Sequence, residues 1–297
     1  MLFTKYFEET RDVTEQALDI KALTFELSPL TPYIGGEITG IDLSRDMDDA
    51  TQRGLRAALL DRKVLFFRDQ DITTEQHLAF ARRFGELEVH PFAPFKPGYP
   101  EVLAITHDEK SRGRENVWHS DVTWRLEPSL GSILRALEVP PIGGDTLFSD
   151  MYAAYEGLSD EIKEKIEGRT AMHDFGHFRV GLRKRGKSEA EIEEFNKKYP
   201  PAEHPVVRTH PETGRKGLYV NAAFTQHIVG YDQAESDALL KHLYAQAATP
   251  EYQCRFRWRT NSIAFWDNRA CQHYAVSDYW PAVRRMERVT IVGDKPY

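Results

Sequence analysis

Apolar residues along this chain fall in short bursts, and long amphipathic stretches are few. Val64-Leu65-Phe66-Phe67 is apolar at four consecutive positions, as a strand buried on both faces would be. Similar short runs recur at 102–105, 132–137, 146–148, 206–207, 218–220, 256–258, 263–266 and 288–292. Residues 23–27 alternate as a strand does, and 34–41 read as another, punctuated by glycines. The window 117–124, V-W-H-S-D-V-T-W, is rich in β-branched and aromatic residues and predicts a buried strand. Helical periodicity is confined to 48–61, 73–84, 151–168 and 234–247, the second opening with an N-cap and capping box at Thr73. Many short strands with few helices predict a mainly β sandwich or barrel with peripheral helices. Residues 1–22 read as a polar, partly helical extension, and 23–297 as a single domain. The stretch 175–201 is charged and strand-poor, a possible lid over a site.

Composition narrows the partners. A net charge of −7 argues against nucleic acid, which needs a basic face, and the basic run 179–187 reads as a solvated helix end or loop. No run approaches the roughly 20 apolar residues of a membrane span, and the first residues lack the apolar core of a signal peptide. Cys254 and Cys271 form no metal or redox motif, which suits a reducing, cytoplasmic setting.

The chemistry concentrates at Trp118-His119-Ser120-Asp121, answered far downstream by Trp266-Asp267-Asn268-Arg269 and His273. Two imidazoles and one carboxylate are the ligand set of a mononuclear non-haem Fe(II) site, with three positions left open. On an extended strand, His119 and Asp121 would point to one face, about 7 Å apart along the chain. The H-x-D spacing is unspecific by itself in a chain with 11 histidines. His77, on a predicted helix, reads as structural.

Longer motifs add specificity. W-H-S-D-V-T-W at 118–124, G-G-D-T-L-F at 143–148, H-P-V-V-R-T-H-P at 204–211, W-D-N-R-A-C-Q-H-Y-A at 266–275 and the tail at 288–296 occur in this order. With them the chain resembles the TauD/TfdA group of Fe(II)- and 2-oxoglutarate-dependent dioxygenases, most closely the taurine dioxygenase and alkylsulfatase branch. The resemblance implies a double-stranded β-helix, or jelly roll, with His119, Asp121 and His273 as iron ligands. It implies Thr146 and Arg284 for the C5 carboxylate of 2-oxoglutarate, and Arg288 facing both cosubstrate and substrate. His90 is implied at the anionic head of a small organic substrate, with Trp124, Phe178 and Phe224 as pocket residues. The implied reaction consumes O2 and 2-oxoglutarate, yields succinate and CO2, and hydroxylates a carbon next to a sulfonate or sulfate ester. Sulfite or sulfate then leaves. A homodimer or homotetramer is also implied.

Arg284 and Arg288 stand four apart, roughly 13 Å along a strand and on one face unless a bulge near 285–286 intervenes. The chain departs from the taurine pattern at Ala93, Glu115 and Trp124, where the taurine enzyme resembled here has tyrosine, asparagine and phenylalanine. A different sulfonate, an alkyl sulfate or an aryloxyalkanoate-like carboxylate would each fit, and a 2-oxoglutarate-independent, cupin-type iron dioxygenase is the second class to be separated.

Overall fold

The computed structural model describes residues 24–91, 94–184 and 186–297, the side chains at 177 and 178 excepted. The expected N-terminal extension, Ala93 and the Phe178 side chain lie outside the described residues. Sixteen strands and seven α-helices occur in them. The first half of the chain supplies β1 (Glu26–Pro29), β2 (Gly36–Thr39), α1 (Asp49–Arg62), β3 (Val64–Phe67), α2 (Thr74–Arg82), β4 (Phe95–Lys96), β5 (Tyr99–His107) and β6 (Gly131–Glu138). Then come β7 (Thr146–Asp150), α3 (Met151–Glu156), α4 (Asp160–Ile166), β8 (Thr170–His173), α5 (Gly176–Lys184) and α6 (Glu189–Lys198). The last third holds β9 (Ala202–Pro205), β10 (Val207–Thr209), β11 (Lys216–Leu218), β12 (Thr225–Ile228), α7 (Gln233–Gln246), β13 (Gln253–Phe256), β14 (Ile263–Asp267), β15 (Cys271–Ala275) and β16 (Arg284–Ile291).

The fold is mainly β. One eight-stranded sheet runs β1-β2-β3-β14-β6-β16-β5-β4, antiparallel apart from the β2–β3 pair. A three-stranded sheet, β13-β7-β15, faces it. The run 64–67 shows why the sheet holds. Val64 and Phe66 pack inward with Phe148 and Phe256 of the smaller sheet, Phe66 and Phe256 stacking at 4.0 Å. Leu65 and Phe67 pack outward against Leu55 and Leu59 of α1 and Leu78 and Phe80 of α2. A strand covered on both faces must be apolar at every position, and each such side chain contributes about 1.5–3 kcal/mol on burial. Both covering helices are capped, α1 by Asp48 and α2 by the Thr73/Gln76 capping box that the sequence predicts. His77 on α2 is fully buried, with Nε2 3.2 Å from the Ile133 carbonyl, and its role is structural.

Two expectations are corrected. Residues 117–124 do not form a strand. His119 makes a single antiparallel bridge to His273, and the chain then turns at 121–124, with Val122 at φ 49°. Val122 and Trp124 there are buried by packing against Phe175, Phe195 of α6 and Tyr199, not by a sheet ladder. The helix expected over 151–168 is two helices. Gly157 caps the end of the first, at a position where a Cβ would lie 2.1 Å from the Tyr252 hydroxyl, and Ser159 caps the second. The strand-poor stretch 175–201 carries α5 and α6. No helix of the described residues is long and apolar enough to cross a membrane.

Candidate functional site

The bridge between His119 and His273 joins the N–H and C=O of each to the other, at 3.1 and 2.8 Å. It sets the two imidazoles side by side, ring centroids 4.2 Å apart. Asp121, at the start of the turn, brings Oδ1 to 4.0 Å from His119 Nε2 and 3.9 Å from His273 Nε2. One ligand atom from each of the three thus lies within 4.8 Å of the others. His119 Nδ1 is 2.8 Å from the Val117 carbonyl, which can only accept. Nδ1 therefore carries the hydrogen, and Nε2 is left as the coordinating atom.

Electrostatics prepares Asp121 and His273. Burial alone would raise the Asp121 carboxyl, but Arg288, the two imidazoles and Ser132 outweigh it and hold it well below the ordinary carboxylate range. Burial, reinforced by His119, pushes the His273 imidazole down to about 3. An ionised carboxylate beside a neutral imidazole is what a divalent cation requires of its ligands. The residues present fit a metal ion.

One cavity, of about 580 Å³ counting its open mouth, is lined by His119 and His273 of the triad together with Thr146, Arg284 and Arg288. Both arginines project from β16 into it. A register shift does occur beside Arg285 and Met286, but the extra residue is Leu137 on β6. The alternation of β16 is therefore kept, with Arg284 and Met286 buried and Arg285 exposed. Arg284 is 5% exposed and has no carboxylate or hydrogen-bond partner among the described residues. The rings of Trp258 and Tyr279 flank it, each centroid 5.9 Å from Cζ. Burial pulls its pKa below the ordinary guanidinium range, against the pull of Tyr279 and Glu115. A buried, unpaired cation of this kind calls for an anion. Thr146 lies on the same wall, its Oγ1 accepting from Trp258 Nε1 at 2.9 Å.

Arg288 donates to Asp121 Oδ1 at 2.7 Å, and its Nε has no partner among the described residues. His90 is half-buried, and burial, with Arg288 and Arg125 nearby, pushes it down to about 3. Glu88 is buried beside it, 2.9 Å from Arg125. Phe224 presents its ring to His119 at 6.3 Å, nearly perpendicular. Trp124 is 2% exposed and stacks on Phe175 at 4.4 Å, with Tyr199 edge-on at 5.3 Å. Neither Phe224 nor Trp124 is on the wall of the cavity, whereas Glu115 is, 3.6 Å from His107 Nε2.

Several residues around the triad carried no signal of their own in the sequence. Ser132 sits inside an apolar strand run, and Trp258 and Tyr279 read as ordinary aromatics. Asn268 was visible only as part of W-D-N-R, where it reads as a turn former.

The family model for "Taurine catabolism dioxygenase TauD, TfdA family" matches residues 26–290. An alkylsulfatase of Acinetobacter baylyi is 38% identical over 276 residues, covering 91% of this chain and 85% of that protein. An alpha-ketoglutarate-dependent sulfate ester dioxygenase of Pseudomonas putida is 37% identical over 279 residues, covering 93% and 92%. Among solved structures, a taurine dioxygenase from Burkholderia xenovorans superposes with a TM-score of 0.79 at 39% identity, over 92% of this chain and 91% of that one.

Proposed function

Because the chain belongs to the TauD/TfdA family, we propose that this α-ketoglutarate-dependent dioxygenase hydroxylates the carbon next to a sulfate ester or sulfonate of a small organic anion. The relatives named for sulfate esters and taurine support this substrate class. The observation that carries the reading is the triad of His119, Asp121 and His273, whose two imidazoles share a cavity with the unpaired, buried Arg284. A 2-oxoglutarate-independent iron enzyme would have no need of that cation, and the family is not of that kind. The small sheet facing the large one supports a double-stranded β-helix.

His119 Nε2, Asp121 Oδ1 and His273 Nε2 would hold the metal, and the two-nitrogen, one-oxygen donor set suits Fe(II). Bound there with 2-oxoglutarate and O2, Fe(II) supplies oxidative decarboxylation to succinate and CO2 and the oxidising power that hydroxylates the substrate carbon. The protein's part is positioning. Arg284 and Thr146 pair with the C5 carboxylate of 2-oxoglutarate, Arg284 through a charge-assisted hydrogen bond in a site shielded from water. Arg288 and His90 draw the anionic head of the substrate to the other side of the triad. A carbon bearing both hydroxyl and sulfate then collapses: the C–O bond to sulfate breaks, the hydroxyl proton leaves, and an aldehyde and sulfate are the products. From a sulfonate, the C–S bond breaks and sulfite leaves.

The proposal includes a single catalytic domain from residue 23, with α5 and α6 as a lid, in a cytoplasmic homo-oligomer. Anaerobic enzyme with Fe(II) and 2-oxoglutarate should show a weak visible charge-transfer band that His119→Ala abolishes. A panel of sulfonates, alkyl sulfates and aryloxyalkanoates should then be screened for substrate-dependent succinate, with sulfite and sulfate assayed. Turnover of a carboxylate alone would move the substrate class to the aryloxyalkanoates, and no response to any sulfur oxyanion would remove the sulfur reading.

A further inference from the structure

The Asp121 oxygen turned away from the two imidazoles is held by groups to which the chemistry above gives no task. Ser132 Oγ donates to Asp121 Oδ2 at 2.8 Å. Asn268 Nδ2 reaches the same oxygen at 3.5 Å and Ser132 Oγ at 3.3 Å. Asn268 Oδ1 accepts from the Asp121 backbone N–H at 3.2 Å and from the Trp266 indole N–H at 2.9 Å. Two donors facing one end of the amide fix its orientation, so the NH2 end must face the acceptors. Ser132, Asn268, Trp266 and Asp121 are all at most 4% exposed.

The frame behind this cluster is a paired sheet ladder, whereas the ligand residue sits in a turn. Ser132 lies in the eight-stranded sheet directly across from Trp266. The two strands meet closely at the next pair, where a Cβ on Gly131 would sit 2.5 Å from the Trp266 carbonyl oxygen. Asn268 follows β14 and donates its own N–H to the Leu130 carbonyl at 2.9 Å. Asp121, by contrast, belongs to a turn with no ladder partner beyond the bridge at His119 and with Val122 in the left-handed region. Arg288 holds Asp121 Oδ1 at 2.7 Å, and the side-chain bonds from Ser132 and Asn268 to Oδ2 fix the plane of the carboxylate about it.

A carboxylate with both oxygens free can bind a cation through one or two of them, and the second oxygen takes a coordination position. We infer that Ser132 and Asn268 are positioning residues that keep Asp121 a one-oxygen ligand, by occupying Oδ2 and leaving Oδ1 to the imidazole side. The clamp thereby reserves one coordination position for the reactants. This inference rests on the metal reading under Proposed function.

Co(II), added anaerobically without cosubstrate, tests it through binding and spectrum, independently of turnover. Ser132→Ala removes one hydroxyl from a buried strand and should leave the melting temperature near that of the wild type. Its Co(II) affinity should fall by about tenfold or more, within the 10- to 100-fold range carried by partners of metal ligands. The intensity of the visible Co(II) bands should change as the coordination number changes. Asn268→Ala should act in the same direction, and Ser132→Thr, which keeps the hydroxyl, should restore affinity and bands. Affinity within twofold of wild type and unchanged bands in both alanine variants would overturn the clamp alone. A wild-type chain that binds no Co(II), or one whose His119→Ala variant binds it as well, would overturn the metal reading and the clamp with it.

Discussion

Arg284 is a charge buried at a cost, and its cost and its use can be separated. Leaving a guanidinium buried without a partner weakens the fold, while the same isolation strengthens its attraction for an arriving carboxylate. Arg284→Leu should therefore melt at or above the wild-type temperature while its KM for 2-oxoglutarate rises by about 10²-fold or more, since a charged hydrogen bond in such a site is worth about 3–5 kcal/mol. A fall in melting temperature with unchanged KM would show that Arg284 serves the fold instead. At this scale the sequence was informative where side chains are chemically conspicuous. His119 and Asp121 stand out as chemistry-bearing residues in an otherwise β-branched and aromatic window, whereas Arg284, one of an Arg284-Arg285 pair, was legible only through the longer motifs. Ser132 was not legible, because a small hydroxyl inside a strand run is equally at home with no role. Trp124 was read as a pocket residue from its place beside the motif, and its ring instead packs under the helical excursion.

That packing gives the ligand turn its mechanical setting. Phe175 begins the excursion, Tyr199 ends it, and both rest on Trp124, with Phe195 of α6 stacked on Phe175 at 5.3 Å. Aromatic pairs of this kind add about 0.5–1.5 kcal/mol each beyond burial. Trp124→Ala should loosen α5 and α6 without unfolding the sheets, so limited proteolysis should cut within 175–201 much faster than in the wild type, before any other site. Equal cutting rates would mean the excursion is anchored elsewhere. Elements were legible where a face is wholly apolar, as in β3, or where a cap is written locally, as at Thr73. They were illegible in β8, β9, β12 and β15, whose sequences T-A-M-H, A-E-H-P, T-Q-H-I and C-Q-H-Y-A carry polar residues toward the site or solvent. The window 117–124 misled for the converse reason: its residues are chosen by what packs on them, and the backbone there makes one bridge and a turn.

Across the whole molecule, buried neutral histidines tie stability to pH. Burial, with Arg135 nearby, pushes His77 down to about 3. An unfolded chain protonates such a histidine near pH 6.5, and the folded one only near 3. Between those values the unfolded state holds the extra proton, so stability falls as pH drops, by about 1.4 kcal/mol per pH unit for each such histidine. Above pH 6.5 His77 contributes no slope. Urea titrations between pH 6 and 4 should show His77→Phe losing about one proton's worth of this slope, and an unaltered slope would refute the assignment. The bridge between His119 and His273 has a consequence for how the protein is made. Its partners are 154 residues apart (273 − 119), so it closes a very long loop, and contacts of that span form late because their entropic cost precedes their reward. During synthesis the triad cannot assemble until residue 273 has been made and has left the ribosome. Metal capture would then report the completion of folding, and a truncated or stalled chain would be left without a site that could start oxidative chemistry.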